Sequence, residues 1–185
     1  MSHIIVTIIL GLFLLFLVSF LVLVMVSSLF HLKHMVPFVP TPAPVIEAMI
    51  REANLKPGML AVDLGAGDGR VVRRAMRRNP GITAVGYEGA FGVWLLAKFC
   101  NLFSRSKPEM RMKNFFQEDF SHADIVFTYL SIDIMQKLLP KLEKELRPGA
   151  KVISNTFSFK KKEPMKKVFV KMPFWGGTNV LVYQF

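Results

Sequence analysis

The sequence predicts an α/β domain with a mostly parallel sheet, preceded by one N-terminal transmembrane helix. Three observations support this prediction. Residues 4–30 contain no charged side chain, although the chain of 185 residues has 24 Lys or Arg and 13 Asp or Glu. From residue 60 onward, short apolar runs alternate with helical patterns, which is typical of βαβ units. The length allows one domain and an appendage but not two full domains.

The uncharged stretch is predicted to be an uncleaved membrane anchor within residues 1–34. At a rise of about 1.5 Å per residue, it is longer than the roughly 30 Å hydrocarbon core of a bilayer. A cleaved signal peptide is disfavoured, because the stretch has no preceding Lys or Arg, is too long and lacks an Ala-x-Ala site. Lys33, Arg51 and Lys56 follow the stretch, so the positive-inside rule predicts a cytoplasmic domain.

The lone cysteine and the N-terminal composition bear on the cellular compartment. Cys100 cannot form an internal disulfide, and no Cys and His residues are spaced as zinc ligands. We therefore expect a reducing compartment and no metal site. An Arg-rich, acid-poor amphipathic presequence is absent, which favours a bacterial inner membrane. A mitochondrial membrane is the alternative.

Closely spaced prolines separate the anchor from the domain. They disfavour a helix or an inner strand and predict an extended connector. We assign residues 35–41 to this connector and residues 42–185 to the domain. The prolines are Pro37, Pro40, Pro42 and Pro44.

Within the domain, apolar patterning and breaker residues predict the order of helices and strands. Helices are expected near 42–53, 70–78, 90–103 and 132–146, and strands near 60–64, 82–87, 111–116, 125–130, 151–159, 168–172 and 180–185. Pro173 and the pair Gly176-Gly177 separate the last two strands, a spacing that suits an antiparallel hairpin. Ligands of such sheets bind beyond the carboxyl ends of the strands.

The strongest local motif is a glycine-rich turn between the first strand and the helix after it. It reads Asp63-Leu64-Gly65-Ala66-Gly67-Asp68-Gly69, and such glycines let a ligand approach the backbone closely. A NAD fingerprint would need glycine where Arg70 stands, and the P-loop lysine followed by Ser or Thr is missing. Both of these nucleotide-binding alternatives are therefore weakened.

Acidic residues follow the predicted strands at the edge where a ligand would bind. Asp63, Asp68, Glu88 and Asp119 place negative charge there in a protein of net charge +11. A pyrophosphate would be repelled, whereas a cationic ligand would be attracted. Glu88 also lies about 20 residues beyond the glycines, where an acid binds ribose hydroxyls in dinucleotide folds. These residues favour a ligand with a ribose and an ammonium group but no phosphate.

The glycine motif and the acids resemble those of class I S-adenosylmethionine-dependent methyltransferases. The resemblance covers about residues 42–185 and implies a Rossmann-like, seven-stranded, mostly parallel sheet with an antiparallel last strand. It further implies that the motif holds the methionine end of S-adenosyl-L-methionine, that Glu88 binds the ribose and that Asp119 contacts the adenine. The motif residues assigned to the cofactor are Asp63, Gly65, Ala66, Gly67 and Asp68.

Three further segments resemble a narrower family. They are 37–42 (Pro-Phe-Val-Pro-Thr-Pro), 86–88 (Gly-Tyr-Glu) and 141–149 (Lys-Leu-Glu-Lys-Glu-Leu-Arg-Pro-Gly). They are similar to the small protein-lysine methyltransferases of archaea and of mitochondrial membranes, whose substrates include the adenine nucleotide translocase and the membrane-ring protein of ATP synthase. This resemblance implies N-methylation of lysine side chains, with a membrane protein as the expected substrate.

The residues after the fourth strand differ from those of several amino-methylating enzymes. Enzymes that act on bases or glutamine commonly carry Asn/Asp-Pro-Pro-Tyr/Phe there, and this chain has Phe-Thr-Tyr-Leu-Ser at 127–131. Methylation of DNA adenine or of glutamine is therefore disfavoured. Tyr129 is our candidate catalytic residue, as the wall of an apolar channel that favours a neutral lysine amine. Thr128, Asn155 and Phe157 are weaker candidates.

Several basic runs leave other partners open. They suit a solvated face or contact with anionic lipid, and less well a nucleic-acid footprint, which usually includes exposed aromatic residues. We therefore expect no nucleic-acid partner. Methylation of a lipid, a quinone or RNA, and cofactor binding without catalysis, remain the alternatives. The runs are 73–74, 77–78, 160–162 and 166–167.

Overall fold

The computed structural model describes residues 2–34, 38–172 and 176–185. The chain separates into two compact units, Met1–Pro37 and Phe38–Phe185. Part of the predicted connector, residues 35–37, lies outside the described residues. The division into anchor, connector and domain stays a prediction.

The first unit is the helix α1 (Ser2–His34). Its segment Ile4–Met25 has a mean hydropathy of 3.2 and no buried side chain. A helix that is apolar on every side cannot satisfy its surface in water, and its partner must be apolar. Among the described residues, it is the one helix that could cross a membrane by length and composition.

The second unit contains four helices around one sheet. The helices are α2 (Ala43–Ala53), α3 (Arg70–Arg78), α4 (Phe91–Leu102) and α5 (Ile132–Glu145). The strands are β1 (Leu60–Leu64), β2 (Thr83–Tyr87), β3 (Glu109–Arg111), β4 (Ile125–Thr128), β5 (Lys151–Asn155), β6 (Lys166–Met172) and β7 (Gly176–Gln184).

The seven strands form one mixed sheet in the order β3-β2-β1-β4-β5-β7-β6. The pairs among β1 to β5 are all parallel. Strand β7 lies between β5 and β6 and is antiparallel to both. The predicted α/β class and the C-terminal hairpin are therefore confirmed. At the edge, β6 is half exposed and carries three lysines, a common protection against edge-to-edge pairing.

Helices cover both faces of the sheet because neighbouring strand residues point to opposite sides. Ala61 packs in a cluster with α2, α3 and Ala97 of α4. Val62, the next residue, packs in a second cluster with Met135 and Leu142 of α5. The two apolar layers fix the sheet between them and hold its carboxyl edge rigid.

Two predicted strands have different bounds in the structure. The strand expected at 111–116 is wrong: β3 ends at Arg111, and Phe115–Gln117 forms a 3-10 turn in which Asn114 accepts a hydrogen bond from the Phe116 amide at 3.1 Å. The strand expected at 151–159 ends at Asn155. The next residue, Thr156, has a φ of 67°, which a continuing strand cannot adopt.

Candidate functional site

The candidate site lies where the strand order reverses. Strands β1 and β4 are neighbours at the centre of the sheet, and the chain continues from β1 to β2 on one side and from β4 to β5 on the other. A crevice opens at the carboxyl ends of the strands at such a switch point. The glycine-rich turn at 65–69 and Glu88 both follow strands that end there.

The glycine-rich turn requires glycine because of its backbone and its neighbours. Gly65, Gly67 and Gly69 have φ values of 73°, 58° and 78°, which L side chains rarely adopt. A Cβ on Gly67 would overlap the ring of Phe38, and one on Gly65 would lie 2.8 Å from Leu130 Cδ2. The turn is therefore a bare strip of backbone with aromatic and aliphatic side chains packed against it.

Glu88 ties this turn to the end of β2. Its Oε2 accepts a hydrogen bond from the Gly67 amide at 2.9 Å, and its Oε1 accepts one from the Ala90 amide, also at 2.9 Å. The amides of Gly65 and Ala66 both donate to the Tyr87 carbonyl at 2.9 Å. These four bonds hold the Glu88 carboxylate beside the glycine turn, as the sequence predicts.

Asp68 is satisfied within its own loop. Its Oδ2 accepts from Arg70 Nη2 at 2.9 Å, and its Oδ1 accepts from the Arg70 amide at 3.1 Å. The guanidinium of Arg73, which is buried, donates to the Asp68 carbonyl. Two arginines thus compensate the Asp68 charge, which leaves this carboxylate less available to a ligand than the sequence suggests.

Asp63 is in the opposite situation. Only 5% of the residue is exposed, and its carboxylate has no hydrogen bond or ion pair among the residues that the structure describes. Burial, together with the charges of Glu88 and Asp68, raises the pKa of Asp63 to about 8. A buried carboxylate without a donor is costly, and a cationic ligand would relieve that cost. The residues present therefore fit a ligand with an ammonium group.

Asp119 is not bonded to this cluster. It is exposed, and its carboxylate accepts hydrogen bonds from the Ser121 amide at 2.9 Å and from Ser121 Oγ at 2.8 Å. Those two bonds lower the pKa of Asp119. Its adenine contact stays a prediction.

Aromatic side chains line the carboxyl edge beyond β4 and β5. The rings of Tyr129 and Phe157 stack with centroids 5.9 Å apart, and both side chains are half buried. Next to Tyr129, Thr128 is fully buried and its Oγ1 has no hydrogen-bond partner among the described residues. The structure thus joins Tyr129 to Phe157, and it adds Phe38 against the glycine turn. The sequence signal for Phe38 is its place between two connector prolines.

The predicted basic face is smaller than the sequence suggests. Arg73 is buried, and Arg74 and Arg78 both form ion pairs with Glu47. Lys166 pairs with Glu52 at 2.7 Å. Several of the basic residues therefore have intramolecular partners, and the surface left for a polyanion is reduced.

Comparison with known proteins decides the family. Residues 63–166 match the model of the ANTKMT methyltransferase domain, which is more than half of the chain. The chain belongs to this family. The methyltransferase uses S-adenosyl-L-methionine as cofactor, which agrees with the acid cluster beside the glycine turn.

Curated relatives share about a third of their residues with this methyltransferase. A protein-lysine N-methyltransferase of Saccharolobus islandicus (strain REY15A) is 32% identical over 80% of this chain and 91% of its own length. The human (Homo sapiens) lysine N-methyltransferase named for the ATP synthase c-ring protein is 32% identical over 69% of this chain. The methyltransferase spans 54% of that human relative, about half of its length.

A solved structure gives the same fold. An RNA methyltransferase from Salinibacter ruber, in complex with S-adenosyl-L-homocysteine, superposes with a TM-score of 0.73 at 32% identity, covering 79% of this chain and 93% of that one. A precorrin-6y C5,15-methyltransferase from Geobacter metallireducens GS-15 superposes with a TM-score of 0.63 at 12% identity, which supports the fold alone.

Proposed function

We propose that this methyltransferase transfers a methyl group to lysine side chains of a membrane protein. The observation that carries the proposal is the stacked pair of Tyr129 and Phe157 at the carboxyl ends of β4 and β5, the edge at which the acid cluster also lies. An aromatic wall there suits the aliphatic stem of a lysine. Relatives named as lysine methyltransferases support the same acceptor.

The cofactor-binding residues are proposed from the geometry of the turn. Asp63 would accept the ammonium group of the methionine end, and the turn at Gly65, Ala66 and Gly67 would receive the ligand against its backbone. Asp68 would act by fixing that turn through its arginines. When bound, S-adenosyl-L-methionine supplies an electrophilic methyl group.

The ribose and the adenine would lie further along the carboxyl edge. Glu88 has both oxygens beside the turn and could accept bonds from ribose hydroxyls in addition to those from the two amides. Asp119 would accept from the adenine amino group. Its exposed position after the 3-10 turn leaves its carboxylate open to such a donor.

The residues of this chain would prepare the lysine for transfer mainly by excluding water. A lysine amine has an ordinary pKa of about 10.4 and must lose its proton before it can attack. Apolar walls penalise the charged form and so favour the neutral amine. We assign this role to Tyr129 and Phe157, which would also align the amine.

The helix α1 supports a membrane location for the proposed reaction. Its apolar segment is long enough to span, and we propose that it anchors the domain on the cytoplasmic side, most simply of a bacterial inner membrane, with a mitochondrial membrane as the alternative. A connector of residues 35–41 reaches at most about 25 Å. Lysines close to the bilayer surface would therefore be the accessible ones.

The proposal is tested by following a labelled methyl group. Full-length protein in native membranes is incubated with methyl-tritiated S-adenosyl-L-methionine, and the product is divided by protease, nuclease and organic solvent. Label in methyl-lysine, absent from the Asp63→Asn variant, is expected. The Tyr129→Ala variant should transfer slowly but bind the cofactor with unchanged affinity, and Tyr129→Phe should retain activity. A Tyr129→Ala variant with full activity would contradict the aromatic wall.

RNA methylation is a second candidate function. It is favoured by the Salinibacter ruber structure, which is described as an RNA methyltransferase and is as similar in sequence as the lysine methyltransferases are. The internal ion pairs of Arg74, Arg78 and Lys166 argue against it, because they reduce the charge available to a phosphate backbone. Nuclease-sensitive label would establish this function instead. Solvent-extractable label would establish a lipid or quinone substrate.

A further inference from the structure

The helix α4 exposes an unusually apolar surface. Phe99, Leu102 and the following Phe103 are 57%, 69% and 78% exposed, and Phe91 and Leu95 lie on the same stripe at helical spacing. Leu96 adds to this surface beside Leu95. We call these six side chains the α4 apolar face. A contiguous patch of this kind on a folded domain indicates an interaction site.

The opposite side of α4 is fixed to the domain, so the exposure is not a result of a loose helix. Ala97 is fully buried, and Trp94 Nε1 donates to the Met110 carbonyl at 3.0 Å. Asn101 Nδ2 donates to the Pro108 carbonyl at 2.9 Å. These contacts hold the α4 apolar face outward in one orientation.

The charges around this face are all positive. Lys98, Arg105 and Lys107 are exposed, and residues 89–108 contain no acid. Neither Arg105 nor Lys107 has an ion-pair partner among the described residues. Cations that border an apolar helix face suit the interfacial region of a bilayer with anionic lipids, where apolar side chains enter the acyl boundary and cations meet headgroups.

We infer that the α4 apolar face lies in the interfacial region of an anionic lipid bilayer. The inference rests on the membrane location proposed above. A second copy of the chain fits this face less well, because a symmetric contact would bring Lys98, Arg105 and Lys107 against their own counterparts in a chain of net charge +11.

This placement orients the catalytic crevice. The helix begins directly after Glu88, whose Oε1 accepts the hydrogen bond from Ala90 at the helix start. With α4 in the interface, the ribose side of the site lies close to the membrane surface. The methyl acceptor would then meet the crevice at headgroup depth, without a long excursion of the domain.

The test measures the depth of single spin labels in the full-length protein. The chain, with Cys100→Ser, is reconstituted into vesicles of phosphatidylcholine and phosphatidylglycerol. Labels are attached at Leu95→Cys, Leu102→Cys and, as the control on the opposite face of the sheet, Lys137→Cys. A fourth label at Leu14→Cys in α1 reports whether the chain is in the membrane at all.

The expected result is several-fold higher oxygen than nickel-chelate accessibility at Leu95 and Leu102, relative to Lys137. The inference is overturned if both positions match Lys137 while Leu14 reports lipid, a result that leaves the membrane location and the methylation proposal intact. Spin–spin broadening at Leu102 would overturn it in favour of a second copy. If Leu14 also reports water, the membrane location fails and the inference fails with it.

A charge variant separates lipid contact from simple exposure. Arg105→Gln with Lys107→Gln should reduce the label depth at Leu102 several-fold, and vesicles of phosphatidylcholine alone should do the same. Lys160→Gln with Lys161→Gln is the matched control, because both residues are exposed lysines outside α4. Equal effects of the two double variants would refute the role of these cations.

Discussion

Replacing Asp63 with asparagine should stabilise the methyltransferase in the absence of cofactor, and the gain should grow with pH. Asparagine keeps the size of the side chain and removes the charge. The pKa of Asp63 is raised from 3.8 to about 8, chiefly by burial and then by Glu88 and Asp68. Because the folded state holds the proton more tightly than the unfolded state does, raising the pH above 3.8 destabilises the native protein until the pH reaches about 8.

The size of the effect follows from the shift. Each pH unit within this window costs the native protein about 1.4 kcal/mol relative to a side chain that does not titrate. Between pH 5 and pH 7 the advantage of Asp63→Asn should therefore grow by about 2.5 kcal/mol. Below about pH 4 the variant should lose the part of its advantage that comes from charge.

The measurement is urea unfolding of the full-length protein in lipid nanodiscs, followed by tryptophan fluorescence at several pH values. Glu143→Gln, which removes an exposed carboxylate, is the control and should show no such trend. If the free-energy difference between wild type and Asp63→Asn is the same at pH 5 and pH 7, then Asp63 has a charge-stabilising partner and the reasoning is refuted. The same variant should bind S-adenosyl-L-methionine at least tenfold more weakly.

The remaining predictions concern the cofactor, the glycine turn and the core. Wild-type affinity for S-adenosyl-L-methionine should rise with pH from 6 to 8 by calorimetry, since binding favours ionised Asp63, and a flat profile would contradict that role. Gly67→Ala should lower stability by about 1–3 kcal/mol in thermal denaturation, more than Gly58→Ala, where φ is also positive but space is open. Tyr183→Phe should cost about 1–2 kcal/mol in urea unfolding, because the buried Phe159 amide loses its acceptor at 3.2 Å; no loss would mean that water replaces it.

The parts of the fold that the sequence predicts well have sharp boundaries in composition. The predicted bounds of β1 and α3 agree with Leu60–Leu64 and Arg70–Arg78, because a fully apolar run and three glycines delimit them. Strand β3 was misplaced since only Met110 of its three residues is buried, too little for a periodic pattern. The Asn114 side chain then decides the turn at 115–117 by competing for a backbone amide.

The candidate site was predictable to the extent that it depends on strand ends. Asp63 and Glu88 come together because parallel neighbouring strands end at one edge. The arginine partners of Asp68 and the contact of Phe38 with Gly67 depend on where loops fold back, which local pattern does not specify. The α4 apolar face shows the same limit, since apolar residues in sequence usually predict burial.

The position of β7 has a consequence for biosynthesis. It is the last strand made, yet it lies between β5 and β6, and Tyr183 near its end is fully buried. Until residues 176–184 have left the ribosome, the open edge of β5 has no partner, and unpaired strand edges promote aggregation in folding intermediates. Helix α1, in contrast, is synthesised first. Early delivery of the nascent chain to a membrane would keep neighbouring copies apart while this edge waits for its strand.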